Sequence, residues 1–380
     1  MKRLYWRPPR ISRAELALIA LVAVTAVALV ESFPVERRQP WFDEKLHAAE
    51  LAQQGFDVIK AEKARRGILP DPELDPRNTG LIGVALSPVT SNTGYLSAKQ
   101  ASINPNFAAV VVHWLRQANV QSGDLVAVGA SGSFPALNIA TFAAIQTLGA
   151  QPIVIASTSA SQFGANNVGL LWIDMERVLE DHHVFRFRSV AASRGGIDDR
   201  GFGMSEEGRS MLDRAVLDNG LELIESASLG DAIEKRMAIY NRRAAGRPIR
   251  AYVNIGGGSA SVGTHIGKKL FDPGLNRSPP RGSDQVDSVM LRFAQRGIPV
   301  IHITRIAGLA SQYGLEQTSL HAPRVGEGDV FVRTEYNPWL ALAGLAVTWL
   351  ILVAFVRLDI GQRILRSVRS ETAQPPQHMV

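Results

Sequence analysis

The stretch VAVGASGSFPALNIA, Val126–Ala140, decides the fold. It opens as an uninterrupted apolar run, passes through a glycine and serine turn, and resumes behind Pro135 as a helix-forming segment. A continuous apolar strand that turns directly into a helix is the unit of a parallel sheet covered on both faces. The turn carries Ser131 and Ser133 where a helix should begin. Such a serine is either a nucleophile or part of a cradle for a negatively charged ligand.

The same alternation extends along the chain. LIGVALSPV (81–89), DLVAVGASG (124–132), PIVIASTS (152–159), VFRFRSVAAS (184–193), the opening of IRAYVNIGGGSASVG (249–263) and IPVIHI (298–303) read as strands. NPNFAAVVVHWLRQANV (104–120), FPALNIATFAAIQTLGA (134–150), NNVGLLWIDMERVLEDHH (166–183), SEEGRSMLDRAVLDNGLELIE (205–225), LGDAIEKRMAIYNRRAAG (229–246) and SDQVDSVMLRFAQRG (283–297) read as helices. The expected fold is α/β with a doubly wound, mostly parallel sheet.

Two apolar segments flank this region: LALIALVAVTAVALV (16–30) and WLALAGLAVTWLILVAFV (339–356). Roughly 20 apolar residues cross a bilayer. Lys2, Arg3, Arg7, Arg10 and Arg13 precede the first; Arg357, Arg363, Arg366 and Arg369 follow the second. Lys and Arg accumulate on the cytoplasmic side, so both termini are expected inside and the middle outside the cytoplasm. The first segment also carries a small-x-small site, Ala26-Val27-Ala28, so a cleaved signal peptide is the alternative. The division expected is a basic cytoplasmic N-terminus (1–13), a transmembrane helix (14–31), a helical stretch and Pro-rich linker (32–80), an extracytoplasmic α/β domain (81–336), a second transmembrane helix (338–356) and a basic cytoplasmic tail (357–380). The location expected is a bacterial inner membrane, with the bilayer as one partner. That placement leaves no role for ATP, NAD or nucleic acid, and no cofactor is expected. The chain has no cysteine, which excludes disulfides, thiolate metal sites and a cysteine nucleophile.

Ligands of open parallel sheets bind beyond the carboxyl ends of the strands. This chain puts hydroxyls and glycines there: Ser87, Thr90, Ser91, Asn92 and Thr93; Ser131, Gly132 and Ser133; Ser157, Thr158, Ser159 and Ser161; Asn254, Gly256, Gly257, Gly258, Ser259 and Ser261; Thr304 and Arg305. Hydroxyls with helix N-termini suit carboxylates or phosphates, although Ser and Thr are also ordinary helix caps. Gly129-Ala130-Ser131-Gly132-Ser133 matches the G-x-S-x-G elbow except at its last position. If Ser131 is catalytic, His265 or His302 would be its base. The glycine loop fits neither the Walker nor the dinucleotide pattern, because Thr264-His265 follows Gly263 and Ser261 replaces the last glycine. No His, Asp and Glu cluster has metal-ligand spacing, so no metal is expected. Arg186, Arg188, Arg194 and Arg200 form one basic run, and Lys235, Arg236, Arg242, Arg243, Arg247 and Arg250 form another. They are either solvated helix faces or a track for a polyanion.

The two flanking spans, LIGVALSPVTSNTGYLSAKQASINPNFAAVVV (81–112), GDLVAVGASGSFPALNIA (123–140) and YVNIGGGSASVG (252–263) together resemble the poly-γ-glutamate system proteins, membrane companions of the bacterial poly-γ-glutamate synthase. The resemblance covers most of the chain and carries over no catalytic residue. It implies a role in making, exporting or anchoring the polymer, with the synthase membrane components and the anionic polymer as partners. The alternative, read from the residues, is an extracytoplasmic serine hydrolase or transferase acting on an amide or ester through Ser131.

Overall fold

The computed structural model describes residues 13–263, 266–315 and 323–358. The chain divides into two units, residues 38–332 and the two ends around them.

In the first unit, alternate residues of the central strands feed two separate cores. Val126, Val128, Ala130, Val154 and Ala156 face one, and Leu125, Ala127, Ile153 and Ile155 face the other. Side chains of a strand alternate between faces, so a run apolar at every position must be covered twice. The strands are β1 (Leu125–Ser131), β2 (Gln151–Ser157), β3 (Ala191–Ser193), β4 (Glu222–Ile224), β5 (Ile249–Ile255), β6 (Gly274–Asn276) and β7 (Val300–Ile303). They form one sheet in the order β4-β3-β2-β1-β5-β7-β6. All neighbours are parallel except β6, which pairs antiparallel with β7. The unit is therefore α/β with a mostly parallel sheet.

The first core is covered by α1 (Phe42–Arg65), α2 (Leu96–Ser102), α3 (Phe107–Gln117), α4 (Pro135–Thr147), α5 (Trp172–Asp181) and α6 (Glu206–Asp218). The second is covered by α7 (Leu229–Ala244) and α8 (Val289–Gln295), through Ile233, Met237, Tyr240, Met290 and Phe293. A further helix, α9 (Ile306–Gln312), leaves β7 on the first side. Ala48, Ala49, Ala52, Phe56 and Ile59 bury one stripe of α1 in the first core. The Pro-rich segment after it is packed: Asp75 is buried and accepts bonds from Thr79 N–H, Thr79 Oγ1 and Gly80 N–H.

Three sequence expectations are corrected. Residues 81–89 are not a strand. The Gly83 N–H donates to Phe163 O, and the Val84 N–H donates to the Asn166 side chain, so this backbone is satisfied by a loop instead of a sheet neighbour. The helix expected over 205–225 stops at Asp218, where Gly220 turns with φ 66°, and Glu222–Ile224 becomes β4. Asn166–Asn167 and Leu170–Leu171 pair as a short hairpin, so that helix starts only at Trp172.

The second unit holds the helices Arg13–Ser32 and Pro338–Leu358 and the paired strands Val35–Arg38 and Val332–Glu335. Both helices are long and apolar enough to cross a membrane, and they expose Leu21, Val24, Trp339 and Leu345. That is consistent with membrane anchoring. They pack closely at small residues: a Cβ on Gly344 would come within 2.7 Å of Ala26 Cβ.

Glu176 on α5 is buried and ties the approach to β3, accepting from Ser189 N–H at 2.7 Å and Ser189 Oγ at 2.8 Å. Burial pushes its carboxyl up to about 7, against the hydrogen bonds from Ser189. The folded state thus holds a proton that the unfolded chain has lost. The stability of the wild type should fall as pH rises from about 4.5 to about 7, by roughly 3 kcal/mol relative to Glu176→Gln. Denaturant unfolding of both chains across that range checks this. A pH-independent difference would refute it.

Candidate functional site

The parallel register aligns the strand ends. Ser131 sits beside Ser157, and Ser157 beside Ser193, across three adjacent strands. Beyond them lies a cavity of about 340 Å³. Ser131, Ser133 and Phe134 line it from the end of β1, and Ser157, Ser159 and Ser161 from the end of β2. Gly257, Gly258 and Ser259 come from the end of β5, with Gly196 and Lys268. The remaining wall is the segment from Ser91 to Lys99, including Tyr95 and Ala98. Among the described lining residues there are many hydroxyls, two lysines and no carboxylate.

A buried ion pair builds the floor. Arg236 of α7 and Asp199 are both almost fully buried, at 2% exposure each. Arg236 Nε donates to Asp199 Oδ2 at 2.9 Å, and Nη2 donates to Asp199 Oδ1, Ser193 Oγ and Ser157 Oγ. Ser193 Oγ donates in turn to Asp199 Oδ1 at 2.7 Å. Asp199 adopts a left-handed backbone, φ 62°, which Asp tolerates better than most residues. Gly195, φ 74°, lets the same loop pass against the strand ends; a Cβ there would lie 2.8 Å from Ser159 Oγ. Ser159 is 3% exposed, lines the cavity, and has no hydrogen-bond partner for its hydroxyl. A buried hydroxyl without a partner is a polar group waiting for a ligand or water.

The serines are chained across the loops. Ser131 Oγ accepts from Ser133 N–H at 3.2 Å, and Ser133 Oγ accepts from Ser161 N–H at 3.0 Å. Lys99 Nζ donates to Ser133 O and lies 2.8 Å from Ser161 Oγ, to which it donates when protonated. It also sits 3.9 Å from the centre of the Phe134 ring. Burial lowers the Lys99 amine to about 7.

Of the sequence candidates, Ser91, Asn92, Thr93, Ser131, Ser133, Ser157, Ser159, Ser161, Gly257, Gly258 and Ser259 meet at the cavity. Gly132, Thr158, Asn254, Gly256 and Ser261 lie behind it. Gly132 N–H donates to Ser157 O, Thr158 and Asn254 are buried, and Ser261 Oγ accepts from Tyr252 Oη at 3.3 Å. Arg305 is exposed and left-handed, φ 49°, outside the cavity lining. His302 is fully buried in β7, with Nδ1 3.0 Å from Asn254 Nδ2. Burial first, then Lys268 and Arg305, lower its imidazole to about 4. His302 does not line the cavity, and His265 lies outside the described residues.

Within the basic runs several arginines are paired, while Arg186 and Arg243 are exposed. Arg188 pairs with Glu180, Arg194 with Asp213, Arg236 with Asp199, Arg242 with Glu222 and Arg250 with Asp124. Lys99 escaped the sequence reading because a lysine in a polar stretch carries no pattern that separates it from a solvated one, and Gly267-Lys268 lacks the earlier glycine of a Walker loop, Val262 standing there. No family model, no curated relative and no solved structure matches the chain.

Asp199→Asn keeps the shape and tolerates the left-handed backbone, yet it leaves the Arg236 charge buried without its counter-charge. Breaking one partner of a buried pair costs about 3–5 kcal/mol. Urea unfolding should show a loss of that order; a loss below about 1 kcal/mol would mean that water reaches and solvates Arg236.

Proposed function

We propose that this chain is a membrane-anchored protein whose α/β unit, doubly wound about β1 and β5, holds a segment of an anionic, carboxylate-bearing polymer beyond its strand ends. Poly-γ-glutamate is the polymer that the family resemblance favours, and the role is in its biosynthesis or export beside the synthase membrane components. The observation that carries this reading is the cavity itself. Its described lining offers hydroxyl donors and the exposed Lys268 and sets no negative side chain against a carboxylate. Ser159 leaves a buried donor open for such a ligand. The flanking arginines and lysines favour both termini inside the cell and the α/β unit outside.

Calorimetry on the full-length chain in detergent, titrated with short γ-linked glutamate oligomers at low salt, tests the ligand. The expected result is a saturating heat that weakens as salt screens the carboxylates. Lys268→Gln should weaken binding by up to about fivefold, the range of one exposed charge contact. Absent or salt-insensitive heat would overturn the ligand class.

The lack of native cysteine makes topology directly measurable. Glu207→Cys in intact cells should react with a membrane-impermeant maleimide, and Ser370→Cys should react only after the cells are opened. The reverse pattern would overturn the placement.

A further inference from the structure

Among the described residues of the α/β unit, three lysines are buried: Lys45, Lys63 and Lys99. Lys45 Nζ donates to Val330 O and Lys63 Nζ to Ile82 O, so these two hold carbonyls in place. Lys99 differs in two respects. It reaches a side-chain hydroxyl, Ser161 Oγ at 2.8 Å, and it does so on the wall of the cavity. Ser161 is half-buried and lines the same cavity, and its main-chain N–H is pinned to Ser133 Oγ. Nucleophile and amine are thus each fixed by a second contact, as a working pair requires.

We propose that Ser161 is a nucleophile and Lys99 its general base, so that the cavity cleaves or transfers an acyl group at an amide or ester. In the neutral amine one N–H remains on Ser133 O, a second faces the Phe134 ring, and the lone pair points to Ser161. Ser161 Oγ then forms a bond to the carbonyl carbon of the substrate while its proton passes to Lys99 Nζ. The tetrahedral intermediate breaks its C–N or C–O bond, and the leaving amine or alcohol takes that proton from Lys99. Water, or an acceptor amine, attacks the acyl-serine with Lys99 again accepting the proton, which returns to Ser161 Oγ as the acyl group departs. One amide and one water give one carboxylic acid and one amine. Lys268, beside Gly257 in the same lining, is placed to hold a carboxylate of the substrate; that assignment rests on the proposed ligand class, whereas the pair itself does not.

Burial leaves Lys99 titrating at about 7. The other titratable side chains among the described lining residues are Tyr95 and Lys268, and the Arg236–Asp199 pair lies beneath Ser157. None supplies a carboxylate to hold the ammonium in the cavity. The neutral fraction of the amine, and with it the reactivity of Ser161, should rise about tenfold between pH 6 and pH 8.

The test uses a fluorophosphonate, which reacts with activated serines irrespective of substrate. Full-length protein in detergent is labelled and its peptides are mapped by mass spectrometry. Label is expected on Ser161, with a rate rising about tenfold from pH 6 to pH 8. Ser161→Ala should remove it. Lys99→Arg keeps the positive charge and the bond to Ser133 O but cannot lose its proton, so it should lower the rate at least a hundredfold, taking roughly the 10²–10⁴ contribution of a general base. Lys99→Met should do the same, with thermal unfolding showing whether the fold survives. No label, label on another serine, a flat pH profile, or an unimpaired Lys99→Arg each overturns the pair. The γ-glutamate titration on Ser161→Ala separates the two ideas. Binding without labelling in the wild type refutes the pair and keeps the ligand; labelling without binding keeps the pair and refutes the ligand.

Discussion

The strand ends of this protein hang on a charge that cannot reach water. The Arg236 guanidinium is buried under the sheet edge, and its partners are the Asp199 carboxylate and the hydroxyls of Ser157 and Ser193. A buried charge is tolerated only when its hydrogen-bonding capacity is met and its counter-charge is close. Meeting that demand fixes four pieces of chain at once: α7, the end of β2, the end of β3 and the left-handed turn at Asp199. Small hydroxyl residues at the strand ends follow from the same demand. A larger apolar side chain at Ser157 or Ser193 would strip the guanidinium of acceptors.

Above that floor, the loops are joined by serine side chains in place of regular structure. Ser131 receives Ser133, Ser133 receives Ser161, and Ser161 meets Lys99. Ser131 Oγ caps a backbone donor of its own turn and Ser133 Oγ one of the neighbouring loop, which is the local competition with helix and strand that serine is suited to. The loops from β1 and β2 are therefore tied to one another. The segment carrying Lys99 is bound to them at its end through Ser133 O.

How far the sequence revealed this differs from part to part. Strands apolar at every position, such as Leu125–Ala130, announced a covered parallel sheet, and the serine turns marked loops that meet at the cavity. What escaped has a common cause. Leu81–Val89 has a strand's composition, but its hydrogen bonds are taken by Asn166 and Phe163, far along the chain. Glu222–Ile224 was hidden in a helical pattern because its only mark is the glycine before it. Arg236 looked like one of a basic run, and Lys99 like a solvated residue of a polar stretch. Periodicity reports which face of an element is buried; it does not report that a charged side chain is buried against a partner more than thirty residues away.

The cavity is assembled from five separate parts: 91–99, 131–134, 157–161, Gly196, and 257–259 with Lys268. These parts lie far apart in the sequence, so the cavity needs long-range contacts to form. Its formation depends on the long-range pairing of β1 with β2 and β5, which carries a loop-closure cost. A molecule that fills it can bind only the native chain, and will draw the folding equilibrium toward that state by mass action. The stability of the native chain would then rise with the concentration of such a molecule.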